Sequence, residues 1–335
     1  MTSKIVVNNI ESDSGIGSVT FTSDIELGTK NLKGHNLEST GIVTATSFSG
    51  SGASLTNIPA GNLTGTLPAL DGSALTGVGV GTADSINTSG IITATSFVPT
   101  VGQLSHRNLV INGDLRIAQR ATTSTSTGFQ TVDRFETSIS GTDETPTQSQ
   151  VDVASGTTPY TLGFRKAFKI TNGNQTSGTG TSDRVGIEYK IEAQDIANCG
   201  WNYLSSSSYI TFSYWVKSSV AQNFYVRFKS ADSPSQAYAI ETGSLSADTW
   251  TKITKTIPGN SNIVFNNDNG EGLSITWEIF RGTSQTGTRP LNAWAAADNN
   301  TRTPDQTSTW YTTNDATFEI TGVQLEVGPV ATPFE

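Results

Sequence analysis

Carboxylates occur in close pairs at Asp133–Glu136, Glu188–Glu192 and Asp315–Glu319. Two carboxyls flanking a glycosidic bond are what sugar hydrolysis needs, one as acid and one as base or nucleophile. These pairs are close only in sequence, however, and any acidic chain offers several. The two histidines, His35 and His106, have no Ser or Cys partner in a GxSxG-type setting, so nucleophilic catalysis has no motif to rest on. Cys199 stands alone, which excludes an intrachain disulfide and a CxxC zinc pair, and reads as a small buried or interface residue. The run Asn267, Asp268, Asn269 and Glu271 has hard-ion donors but also the composition of a turn between strands, which is the preferred reading. The expectation is no enzymatic activity, no metal and no cofactor.

Recognition has more to work with. Trp201 and Tyr203 in CGWNYLSSSS, Trp294 in LNAWAAADNN, and Trp310 and Tyr311 in TSTWYTTND sit in polar, loop-like settings. Exposed rings beside Asn, Asp or Gln are the means of stacking on sugar faces, so these five are candidate glycan contacts. Packing inside a domain or between subunits is the competing role for each. Trp215, Trp250 and Trp277 lie in strand-like runs and are expected in the core.

All six tryptophans and all eight tyrosines lie beyond about residue 100, whereas the first hundred residues supply only Phe21, Phe48 and Phe97. Aromatics contribute most burial per residue, so the globular domain is the C-terminal part, 104–335. Its strand-like segments are NLVING (108–113), ITFSYWVKSS (210–219), NFYVRFKS (223–230), WTKITKTIP (250–258), LSITWEIF (273–280) and ATFEITGVQLEVG (316–328). In the second of these Ile210, Phe212, Tyr214 and Val216 alternate with Tyr209, Thr211, Ser213, Trp215 and Lys217. Turn-rich stretches such as SQAYAIETGS, NNDNGEG and RGTSQTG separate the strands, and IEAQDIANC (191–199) is expected to form one or two helical turns. Short strands, frequent turns and almost no helical period predict an all-β sandwich.

The segment 41–103 is different. From Gly41 to Val80 Asp71 is the only charge, and Leu55, Leu63, Leu67, Leu70 and Leu75 recur among glycines and threonines. A flexible linker carries few large apolar residues, and one chain of this composition cannot bury those leucines on itself. GIVTATSF (41–48) returns as GIITATSF (90–97), differing only at Val43 against Ile92 and ending on Phe48 or Phe97. Such recurrence marks a repeated unit. We read 41–103 as a slender homo-oligomeric β or irregular shaft with the five leucines, Phe48 and Phe97 turned to its axis. GVGVGT (77–82) lacks the lysine and following helix of a phosphate loop. Residues 1–40 alternate Val19, Phe21, Ile25 and Leu27 with polar residues, a β-rich piece too poor in aromatics for a core of its own.

The net charge of −9 and the absence of a Lys/Arg cluster argue against nucleic acid as partner. No run approaches the ~18 apolar residues of a membrane span, and the N-terminus lacks a signal-peptide core, so membrane insertion and signal-peptide export are not expected.

NLVINGDLRIAQR (108–120), VDRFE (132–136), ITFSYWVKSS, WTKITKTIPG and FEITGVQLEVGPVATPFE together resemble the jelly-roll domain near the C-termini of bacteriophage virion proteins. KIVVNNIESDSGIGSVTF and ATSFSGSGASLTNIP resemble the N-terminal halves of tail-fibre proteins of phages that infect marine bacteria, cyanobacteria above all. The resemblance implies a trimeric virion fibre: an anchor to other virion proteins over 1–40, a shaft, and a carbohydrate-binding-module-like knob that meets a host-surface glycan or protein. A capsid-attached fibre or decoration protein, and a polysaccharide-degrading tailspike, are the rival readings. The NGD opening also resembles carbohydrate-binding jelly rolls that hold a structural calcium. The corresponding positions here, Arg116 and Thr321–Gly322, are poor calcium ligands.

Overall fold

In the computed structural model the described residues are 107–305 and 307–335, with a short stretch at 40–44 and 46–47. The chain divides into two units, Met1–Ser89 and Gly90–Glu335. In the first unit the described residues include Ile42 and Val43, both exposed. Phe48, Leu55, Leu63, Leu67, Leu70, Leu75 and Phe97, together with the 1–40 anchor, lie outside the described residues.

The second unit contains two six-stranded sheets, in which every strand pair is antiparallel. One runs in the order β1 (Thr123–Ser124), β3 (Thr147–Asp152), β4 (Lys166–Thr171), β12 (Thr317–Val327), β6 (Tyr209–Ser218), β9 (Thr251–Pro258). The other runs β11 (Trp294–Ala296), β8 (Gln236–Ser244), β7 (Asn223–Ser230), β10 (Glu271–Arg281), β5 (Arg184–Glu192), β2 (Phe135–Ser140). We call them the β12 sheet and the β10 sheet. Consecutive strands repeatedly cross between the two. This is the predicted all-β sandwich, and among the described residues helices are limited to single turns such as α1 (Thr158–Thr161), α2 (Ala193–Ala197) and α3 (Thr309–Thr312). None is long and apolar enough to cross a membrane.

Period-2 alternation builds the core. Phe212 and Tyr214 of β6 meet Trp277 of β10 at ring-centroid distances of 5.8 and 5.7 Å, and Phe135 of β2 meets Trp277 at 6.1 Å. Residues of β4, β6, β12 and of β5, β7, β10 join one apolar cluster between the sheets. Burial at about 25 cal/mol per Å² makes this layer the dominant favourable term.

The β12 ladder is interrupted once. Thr321 faces Trp215 and Gln324 faces Ser213, so Gly322 and Val323 together oppose Tyr214. This two-against-one bulge lets both Ile320 and Val323 turn to the core. Gly322 has φ +60°, and a Cβ there would sit 2.6 Å from the Phe164 ring. Only glycine allows both the backbone and the close approach.

Two expectations are corrected. NLVING is not a strand: Asn108 donates its side-chain amide to the Val323 carbonyl and accepts from the Leu325 amide, and Asn112 has φ +62° with its side chain bonded to Ile117 and Asp133 backbone. These short polar side chains take the backbone partners a ladder would use. SQAYAIETGS is not a separator but β8, with Tyr238 and Ile240 inward and small alanines outward. The helical reading of 191–199 holds as α2, and NNDNGEG leads into β10 through a turn in which Asn267 has φ +55° and Asp268 accepts from the Gly270 amide.

Candidate functional site

The loop aromatics are mostly not at the surface. Trp310 is fully buried, Tyr311 and Trp201 nearly so, which corrects the expectation that these three present open faces to a sugar. Tyr311 stacks on Phe280 at 3.9 Å and donates its hydroxyl to Asp183, and burial first, then Asp183, raises its pKa. Trp201 donates Nε1 to the Ser208 carbonyl. Their loops are long enough to fold rings back over the ends of the sandwich, where burying a large apolar ring outweighs the polarity of its neighbours. Tyr203 and Trp294 are half-buried: Tyr203 packs edge-on against Phe265 at 4.8 Å, and Trp294, on β11, donates Nε1 to the Pro258 carbonyl at 2.7 Å. The five do not converge. Trp310 and Tyr311 close on the start of β5 through Asp183, whereas Trp201 and Tyr203 follow its end.

The carboxylate pairs do not frame a shared cleft either. Glu136 binds Lys190 at 2.5 Å and Glu319 binds Lys217 at 3.1 Å, while Asp133 accepts from the Gln119 amide. Glu188 lies 3.9 Å from Lys190, and Glu192 accepts from Gln194. Burial raises the pKa of Glu188, Lys190 opposes it, and Glu271 and Glu136 add to the rise. Burial also pushes the Cys199 thiol up, and its Sγ donates to the Ile196 carbonyl.

The aromatic surface that does open outward comes from strands. Trp215 belongs to the outward half of the β6 alternation and Trp250 precedes β9; of the three tryptophans expected in the core, only Trp277 is there. Trp215 and Trp250 join a second, smaller apolar cluster with Tyr160, Phe164, Val153 and Ala167 on the outside of the β12 sheet. Arg165 lies over the Tyr160 ring at 4.0 Å and Lys217 near the Trp250 ring at 5.2 Å, so this cluster is edged by cations.

Beside it runs a groove of about 700 Å³. Its floor is Ser213 and Trp215 of β6, Lys252 of β9 (the register partner of Trp215) and Gly322 at the bulge. One wall is Leu162–Phe164, following α1, and another is the segment Ala331–Glu335; Asp114 and Arg116, an ion pair, complete the lining. The wall at 331–335 is tied down: Thr332 donates its amide and hydroxyl to Glu326 at 2.8 and 2.7 Å, and the Glu335 amide donates to Gln324. Arg107 donates to the Glu335 carboxylate, and Phe334 packs edge-on against Phe164 at 5.0 Å. The bulge glycine is what brings Phe164 down onto the strand. A groove of this size with ring faces, hydroxyls and both signs of charge suits a ligand with an apolar face and polar edges.

The alternation in ITFSYWVKSS sets Trp215 on the face opposite Phe212 and Tyr214, a parity signal that the core expectation for this tryptophan did not use. Phe164, Phe334 and Lys252 had no such signal, because their convergence depends on register and on where the loops fold.

No protein-family model matches this chain, and no curated protein does. Solved structures with a similar fold include the enzymatically active domain of tailspike protein 4 from bacteriophage CBA120, at 9% identity and TM-score 0.34, covering 66% of this chain and 21% of that one. A protein from Bacteroides thetaiotaomicron, proposed to bind sugar, aligns at 10% identity and TM-score 0.37 over 66% of this chain and 100% of its own. The N-terminal cellulose-binding domain of Cellulomonas fimi β-1,4-glucanase C aligns at 9% identity and TM-score 0.30 over 64% and 99%. The aligned part spans about a fifth of the tailspike structure. Likeness this low leaves the chain's own geometry to carry a functional reading.

Proposed function

We propose that the β-sandwich is a glycan-binding knob at the end of a homotrimeric virion fibre, and that sugar is held in the groove on the outside of the β12 sheet. The observation that carries the binding reading is Trp215: a strand tryptophan turned away from the core, in a groove also lined by Ser213, Lys252, Asp114 and Arg116. Its ring face suits the C–H face of a pyranose, and the polar rim suits hydroxyls. The fibre reading rests on the sequence of 41–103, whose leucines need other copies of the chain for burial. Residues 1–40 then attach the fibre to the particle, a tail fibre in this reading, and a trimer multiplies weak single contacts by avidity. The chain acts by binding, without catalysis.

The test is retention of the full chain on immobilised bacterial surface polysaccharides, wild type against Trp215→Ala. Loss of a central aromatic contact should weaken binding by about 30-fold, the equivalent of ~2 kcal/mol. Equal retention of both proteins would remove the groove from the account, and loss of polysaccharide viscosity during incubation would favour the tailspike reading. Equilibrium sedimentation of the full chain as a monomer would end the fibre reading.

A further inference from the structure

The outside of the β10 sheet holds charge where the other sheet holds rings. The segment 282–305 crosses it, and beneath lies Glu278 of β10, its side chain fully buried. Arg281 of the same strand donates Nε to one Glu278 oxygen, and Arg302, carried by the covering segment, binds the other through Nε at 2.9 Å and Nη2 at 2.8 Å. Arg227 of β7 and Arg289 of the covering segment are buried in the same layer. One carboxylate thus serves several guanidiniums. Among the described residues, Arg281 Nη2, Arg227 Nε and Nη2, and Arg184 Nε are buried and have no hydrogen-bond partner. A buried N–H without a partner is costly.

Two of these arginines, Arg184 and Arg281, also line a space, and Arg227 does not. A cavity of about 270 Å³ is lined by Ser138, Arg184, Arg281, Gln285, Asn299 and Arg302, with Glu188 at its wall. Arg281 Nη1 is held by Gln285 at 3.2 Å and Arg302 Nη1 by Asn299 at 3.5 Å, which positions both guanidiniums. Gly186 of β5 leaves room for the Arg281 guanidinium, since a Cβ there would come within 3.2 Å of its Nη2.

We propose that this cavity binds a compact oxyanion, a sulfate or a carboxylate, free or carried on a larger ligand. Planar guanidiniums with free N–H groups are matched to such oxygens, often in pairs. The electrostatics agree. Burial lowers Arg281, which lines the cavity, to about 10 although Glu278 offsets part of the shift. Three arginines, Arg184, Arg281 and Arg302, line the cavity against one carboxylate, Glu188, so the lining favours an anion. The site is separate from the groove and does not rest on sugar binding there.

The test is calorimetric titration of the full chain with sodium sulfate and, separately, sodium glucuronate at constant ionic strength. Wild type should give saturable heat with at least one. Sulfate alone assigns a tetrahedral anion, glucuronate alone a planar carboxylate, and both together a site that accepts either. Arg184→Gln removes a guanidinium that repels Arg281 and whose Nε makes no hydrogen bond among the described residues. It should therefore fold as well as wild type but bind about tenfold or more weakly, the scale of one charge-assisted hydrogen bond. Trp215→Ala should bind the anion as wild type does. No saturable heat with either probe, unchanged affinity in Arg184→Gln, or loss in Trp215→Ala would each overturn the assignment.

Discussion

The outer face of the β12 sheet carries Trp215 on β6 and is partly covered by the segment after α1 and by residues 331–335. The outer face of the β10 sheet carries Glu278 and Arg281 on β10 and is crossed by the longer segment 282–305. Alternation alone turns Trp215 outward, whereas Glu278 and Arg281 share a face through the register shift between Glu278 and Phe280, and the two faces need different covers. An aromatic ring is stable half-exposed, so its cover can stop short and leave a groove. A buried carboxylate is not stable without partners, so the segment over Glu278 must bring a cation, and Arg302 is that cation. The apolar face is therefore shaped by packing at the bulge glycine, and the charged face by pairing across its cover.

The contrast breaks most visibly at Glu278. Replacing it in Glu278→Gln leaves Arg281, Arg302 and Arg227 facing one another, and the sandwich should lose about 3–5 kcal/mol, read from urea unfolding. An unchanged midpoint would mean that the cover is held by something other than the pair. Gly322→Ala acts on the other face. It forces a positive φ on alanine and drives a methyl into the Phe164 ring, for about 1–3 kcal/mol, and should alter groove binding along with stability. Trp215→Ala should lower stability by only about 1 kcal/mol, because the ring is half-buried, while removing most glycan retention. Comparable losses of stability from Trp215→Ala and Glu278→Gln would erase the distinction between the faces.

The finest test uses acid. Burial by itself raises the Glu278 carboxyl, but Arg281, Arg302 and Arg227 outweigh it and hold the group below the ordinary carboxylate range. The unfolded state then binds the proton first. The stability contributed by Glu278 is complete above its unfolded pKa and is lost as pH falls through the lower, folded value. Unfolding midpoints measured across the acid range should fall more steeply in wild type than in Glu278→Gln. Parallel acid limbs would show that the group is not held ionised.

Much of the fold was readable from residue order alone. Alternation in 210–218, 223–230 and 273–280 marks strands and assigns their inward sides, because a side chain's face follows from its parity. The same rule applied to RVGIEYKIE finds β5, with Val185, Ile187, Tyr189 and Ile191 inward. What parity does not reach is the loop. TSTWYTTND and CGWNYLSSSS look polar and solvent-facing, yet Trp310, Tyr311 and Trp201 are core, since a loop may turn a ring back onto the sandwich end at no cost to any ladder.

Sequence by itself determined the all-β class and the strands β6, β7, β9, β10 and β12, because strand periodicity depends on neighbours one or two residues away. Only the tertiary structure decided that Trp215, Lys252, Phe164 and Phe334 share one groove, and that Arg184, Arg281 and Arg302 share one cavity. Those gatherings depend on strand register, on a two-against-one bulge at Gly322 and on where long connections settle. Such long-range contacts are stabilised by burial and pairing between residues far apart in the chain, and local order carries no record of them.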